Sequence, residues 1–143
     1  MDQAQLDEGF EEAAAAVESE DPARALDTVT DLLRRHPENA VLHALRGLIH
    51  ERDGEFGEAV RAFRAALYLE PELVEARYLL ARSLAEAGRE HRAIREYQAV
   101  LGSLGIVRAA APAVLTRLGV PTADSLENAC QEALEMLNGR LPR

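Results

Sequence analysis

Tryptophan is absent, cysteine occurs once, and Phe, Trp and Tyr together make up only 4% of the 143 residues. Each shortage narrows the field. A lone Cys130 can close no internal disulfide and excludes a Cys-rich zinc site. With 48% hydrophobic residues but few aromatics, the core must be mainly Ala and Leu. Together with Glu and Arg these are good helix formers, whereas a β-sandwich would call for β-branched and aromatic residues. Positive charge is also short: 16 Lys+Arg stand against 25 Asp+Glu, for a net charge of −9. A general nucleic-acid binder needs a basic face that releases counterions from phosphate, and here the arginines are interspersed with acids. No nucleic-acid partner is expected. No apolar run approaches the roughly 18 residues of a membrane span, and no signal-peptide pattern opens the chain, so membrane insertion is not expected and the expected location is cytoplasmic. There is no glycine-rich phosphate loop and no serine nucleophile motif. The chain reads as neither an enzyme nor a cofactor binder.

What the sequence does contain is a repeat. A shift of 34 residues aligns Ala25, Ala59 and Ala93. Beside them run Leu26, Val60 and Ile94, then Val29, Phe63 and Tyr97, then Leu33, Leu67 and Leu101. Upstream, the small residues Ala13, Gly47 and Ala81 fall into register. Gly54 and Gly88 mark a break that Glu20 occupies in the first unit, and Pro37, Pro71 and Gly105 close the units. Within 56–67 the apolar positions recur every three or four residues, which makes one helical stripe. The stretch 38–53 predicts a second helix, stopped at Gly54, where a left-handed residue is tolerated. Each unit is therefore two antiparallel helices, with the small residue of the first expected to face the Ala of the second. One hairpin cannot bury its apolar faces alone, but three stacked hairpins can.

These residues resemble the tetratricopeptide repeat (TPR), in units 6–39, 40–73 and 74–107 of a single domain spanning 1–143. The middle unit fits best, through Gly47, Gly54, Phe56, Ala59, Phe63, Ala66 and Pro71. The first unit departs most: it lacks the turn glycine, has Val29 for the aromatic, and carries Gly9 where a large residue is usual. The resemblance implies an all-α TPR α-solenoid of three antiparallel helix hairpins with C-terminal capping helices. It also implies a concave groove lined by the first helices, which binds a protein or peptide. Carried over residue by residue, the groove positions are Phe10, Ala14 and Val17, then Val41, Ala44, Leu48 and Arg52, then Glu75, Tyr78 and Arg82. Arg52 and Arg82 could offer charge-assisted bonds there, and aromatics with Arg are the residue types that dominate interface energies. One TPR subclass grips chaperone tails with a Lys/Asn/Arg clamp. The corresponding places hold Phe10, Ala14, Leu45, Glu75 and Leu79, so that clamp is absent.

Residues 108–143 leave the repeat. A short helix over 108–118 would start like a fourth first-helix, interrupted by Pro112 and by Gly119, Val120 and Pro121. A second is expected over 124–138, with Asp124 and Glu127 as a capping box and Gly139 as the stop. This segment reads as the cap that a solenoid end requires. His43 and His50 lie on one helix face, as zinc ligands sometimes do, but no third ligand is suitably spaced and packing is the better reading. Cys130 falls on an apolar stripe and reads as core, and Glu8, Glu11 and Glu12 as solvated carboxylates.

The run 66–71, Ala-Leu-Tyr-Leu-Glu-Pro, is similar to a turn in the repeats appended to some chemotaxis receptor methyltransferases of the CheR family. That resemblance implies a module regulating or localising receptor methylation in bacterial chemosensory signalling, with the methyltransferase domain or a chemoreceptor as partner. The alternative is a free-standing co-chaperone or assembly factor for a secretion or pilus system.

Overall fold

A computed structural model describes residues 3–105 and 110–140. Among these the chain forms helices only: α1 (Gln3–Glu18), α2 (Pro22–Arg35), α3 (Ala40–Arg52), α4 (Phe56–Leu69), α5 (Val74–Glu86), α6 (Glu90–Ser103), α7 (Ala113–Arg117) and α8 (Ala123–Arg140). The unit end expected at Val107 and the final segment's start at Arg108 lie outside the described residues. None of the helices is long and apolar enough to cross a membrane.

Helix ends follow from local chemistry. Asp21 caps α2 by accepting the Arg24 N–H at 3.2 Å, with Pro22 in the first turn, where its missing N–H costs nothing. Asn39 caps α3 by accepting the Leu42 N–H at 3.0 Å, so the helix expected from residue 38 starts at Ala40 instead. The three hairpin turns are closed alike. Asp21, Glu55 and Arg89 donate their N–H groups to the carbonyls of Ala16, His50 and Leu84 at 3.0, 2.8 and 2.8 Å. That five-residue return needs a left-handed residue just before it. Gly54 and Gly88 supply it with φ of 76° and 81°; in the first turn Glu20 is forced to 56°. A side chain there costs roughly 1 kcal/mol, so Glu20→Gly should raise the unfolding free energy by about 0.5–1 kcal/mol in a urea melt.

The hairpins stack in order, with α2 on α3 and α4 on α5. Ala13, Ala25, Ala59, Ala81 and Ala93 have no exposed surface, and Val29, Phe63 and Tyr97 are buried beside them. The close contact of the middle hairpin involves an aromatic as well. A Cβ added at Gly47 would meet three Phe63 ring atoms first, so Gly47 makes room for the aromatic of α4. Gly9 is explained in the same way, because Leu32 of α2 fills the space its side chain would take.

The C-terminal segment also departs from expectation. α8 packs on α6 and touches α5, as α5 packs on α4 and touches α3, so α8 stands where a fourth first-helix would. Leu126, Cys130 and Leu137 are buried there. The place expected for 108–118 is thus taken by α8, while the five-residue α7 instead contacts α1 at the far end of the stack. At the start of α8, the Ser125 and Leu126 N–H groups return to the Thr122 carbonyl, which puts Asp124 inside the first turn rather than at the cap. The helix also runs through Gly139 to Arg140. Nothing packs within 4 Å of a Cβ at Gly139, and one glycine costs a helix only about 1 kcal/mol.

Candidate functional site

The first helices α1, α3 and α5 carry the ten positions read as a groove wall. They differ in how much surface they present. Ala14 and Ala44 have none and Leu48 has 1%, while Val17, Tyr78 and Glu75 are buried. Phe10, Val41 and Arg82 are partly exposed, and Arg52 is exposed.

At the α5 end, Arg82 does not point to free solvent. Its Nε and Nη2 donate to Glu51 Oε2 and Oε1 at 2.8 and 2.5 Å, a two-pronged pair tying α5 to α3. Ser83 Oγ adds a bond to the same carboxylate at 3.3 Å. Burial opposes the Arg82 charge, but the Glu51 carboxylate outweighs it and holds the guanidinium above its ordinary pKa. The Arg82 guanidinium lies over the Tyr78 ring at 5.6 Å, and Tyr78 meets Tyr97 edge-on with centroids 5.8 Å apart. Burial pushes the Tyr97 phenol's pKa up.

At the α1 end the wall is covered by the chain itself. Leu115, Leu118 and Val120 are 0%, 5% and 4% exposed, although only Leu115 lies in the short helix α7 and the other two follow it. Arg117 reaches back to residues 99 and 106 positions earlier in the chain. Its Nη1 donates to Glu11 Oε2 at 2.5 Å, and its Nε and Nη2 donate to Glu18 Oε1 at 3.1 and 2.5 Å. Glu11 and Glu18 are two turns apart, hence on one face of α1. The Arg117 hydrogen bond lowers the Glu18 pKa, since it favours the charged carboxylate. From α3, Arg52 Nη2 donates to the Leu118 carbonyl. Residues 112–120 therefore bridge α1 and α3 like a strap. Beside the strap a cleft of about 440 Å³ remains open between Leu6, Phe10, Ala14, Val41, Pro112 and Val114.

Reading the sequence missed Glu11 and Arg117 as a pair, and with them the strap. The one available signal was the spacing of Leu115, Leu118 and Val120, too apolar for a free linker. The remaining candidates for chemistry are accounted for by packing. His43 Nε2 bonds the Pro37 carbonyl at 2.8 Å and so holds the turn before its own helix. His50 Nε2 is buried without a hydrogen-bond partner, and burial, with Arg46 nearby, lowers its pKa. Among the described residues no group of three His, Cys, Asp or Glu side chains could hold a metal ion. Burial pushes the Cys130 thiol up to about 11, the opposite of an activated nucleophile.

Solved structures share this architecture. The first TPR of Spaghetti (RPAP3), bound to an HSP90 peptide SRMEEVD, is 16% identical with a TM-score of 0.73, over 96% of this chain and 99% of that one. The Arabidopsis OM64 TPR domain is 14% identical at 0.73, over 94% and 95%. An O-GlcNAc transferase mutant from Thermobaculum terrenum is 26% identical at 0.66, over 70% of this chain, which spans only 19% of that larger protein. Curated proteins give no significant match. The tetratricopeptide repeat family profile matches residues 10–72 and 50–114, overlapping spans that take in most of the chain. These residues, and the three stacked hairpins they form, place the chain in the tetratricopeptide repeat family.

Proposed function

We propose that this chain is a protein-interaction module whose concave face, along α1, α3 and α5, holds a peptide segment of a partner protein. One observation carries the reading: a stretch of peptide, residues 112–120, already lies against that face with its leucines buried and its arginine paired. The open cleft at Phe10 extends the same surface. Among the similar structures, the Spaghetti domain is bound to an HSP90 peptide, and another is a TPR2B–pHsp70 complex of yeast Sti1. An acidic chaperone tail is a poor ligand here, because apolar residues and the buried Glu75 stand where that clamp needs Lys, Asn and Arg. The test is selection of displayed peptides on the full chain, followed by Phe10→Ala. Selected peptides should bind the variant about tenfold more weakly, with its thermal midpoint shifted by only a few degrees. Equal binding by both proteins would remove the groove as the site.

A narrower role is favoured by the run 66–71 at the end of α4, where Tyr68 is 87% exposed and Leu69 is also exposed. An aromatic so placed is free to meet a partner and suits a docking contact with a chemotaxis receptor methyltransferase domain or its receptor. Tyr68→Ala should then abolish capture of that domain while leaving groove peptides unaffected. Retention of both would leave the co-chaperone or assembly-factor role as the better account.

A further inference from the structure

We infer that the groove recognises a partner segment carrying an arginine among leucines, and that residues 112–120 occupy it in the resting protein by imitating that segment. This rests on the peptide-binding reading and gives it a ligand chemistry. The occupied site defines what fits. Glu11 and Glu18 together grip one guanidinium, Arg52 takes a backbone carbonyl, and the apolar wall takes leucines three residues apart, as Leu115 and Leu118 are. In a chain of net charge −9, a basic-apolar segment is also the complementary one.

The strap is built to leave. α7 has five residues, Pro112 precedes it, and Gly119 with φ of 89° and Pro121 follow it, so it can detach without unwinding α6 or α8. Its ion pairs are partly exposed: the side chains of Arg117, Glu11 and Glu18 are 34%, 69% and 46% accessible. Such pairs are weak and screened by salt. Leu115, Leu118 and Val120 are as buried as Leu126, Cys130 and Leu137 of α8, so a segment that displaces the strap has to bring leucines of its own. The open cleft between Phe10 and Pro112 lets an incoming segment gain contacts before the strap has gone.

A segment tethered in the same chain competes at roughly millimolar effective concentration. Wild-type protein should therefore bind the same sequence offered from outside at least about tenfold more weakly than a protein whose strap has left. The probe is a fluorescein-labelled peptide of residues 111–122, titrated into full-length wild type, Arg117→Glu, Leu118→Ser and the double variant Glu11→Gln with Glu18→Gln. Hydrogen exchange reports the strap directly. Expected are faster exchange at 113–120 in the first two variants with α3–α6 still protected, a tenfold or greater gain in probe affinity, and no such gain in the double variant. If the strap loosens and affinity does not rise, imitation is refuted. If neither variant loosens it, the segment is a fixed part of the fold and the proposal fails. The groove reading is separated by a displayed random library on the Arg117→Glu protein. Groove-bound peptides without enrichment of arginine overturn the ligand chemistry alone; no peptide at all overturns both.

Discussion

Gly47→Val should destabilise the protein by about 3 kcal/mol, seen as a lower urea midpoint with an unchanged slope. On an exposed helix the change would be favourable, since glycine costs a helix interior about 1 kcal/mol relative to better helix formers. Here the packing decides the sign. A Cβ at residue 47 would stand 2.5, 2.7 and 2.9 Å from Cε1, Cδ1 and Cζ of Phe63. Phe63 has no exposed surface, so its ring cannot swing out to relieve the overlap. Gly57 supplies the control, because nothing lies within 4 Å of a Cβ there, and Gly57→Ala should hold or slightly raise stability. Pairing Gly47→Ala with Phe63→Leu should show a coupling of about 1 kcal/mol or more, with the smaller ring substitute restoring part of the loss. A Gly47→Val protein as stable as wild type would mean that the middle hairpin is packed in another register.

Arg82→Ala should cost about 2 kcal/mol. The Glu51 side chain is only 9% accessible, and the substitution would leave its carboxylate with the weak Ser83 Oγ bond at 3.3 Å in place of the two-pronged pair. Breaking a fully buried pair costs roughly 3–5 kcal/mol; the 35% accessibility of Arg82 reduces this, because water reaches the site. The variant also strips the cation from the Tyr78 ring, adding roughly 0.5–1 kcal/mol to the loss. Replacing both partners, Glu51→Met with Arg82→Met, should recover most of the stability, since no charge is then left without its partner. If the single variant melts like wild type, the pair is a surface contact and not a tie between α3 and α5.

The repeat was legible because hairpin packing is periodic. Each 34-residue unit must bring a small residue, an Ala and an aromatic or Val to the same places, and Ala25, Ala59 and Ala93 show this without any coordinates. Which partner each small residue meets was not legible. Spacing puts Gly47 and Ala59 on facing helices, but only side-chain volume, in three dimensions, decides that the Phe63 ring fills the gap. The groove positions fall on α1, α3 and α5, and their surroundings depend on pairs with no local signature. Glu51 and Arg82 belong to different hairpins, and Glu18 and Arg117 lie 99 residues apart. Nothing in a periodic pattern reports where an aperiodic segment docks. Pro112 and Pro121 were read as breaks that keep a helix short, and they flank α7, with Pro112 at its N-cap and Pro121 beyond its end; that this short piece crosses to α1 follows only from its buried leucines and its arginine.

Everything functional depends on the inner faces of α1 and α3 being a surface that takes peptide. Backbone amide shifts recorded on the Arg117→Glu protein, as the 111–122 peptide is added, address this residue by residue. The account predicts saturable shifts along Phe10, Ala14 and Val17 and along Val41, Ala44, Leu48 and Arg52, with α2, α4 and α6 unmoved. Shifts confined to those outer helices, or no saturable shifts at all, would contradict it.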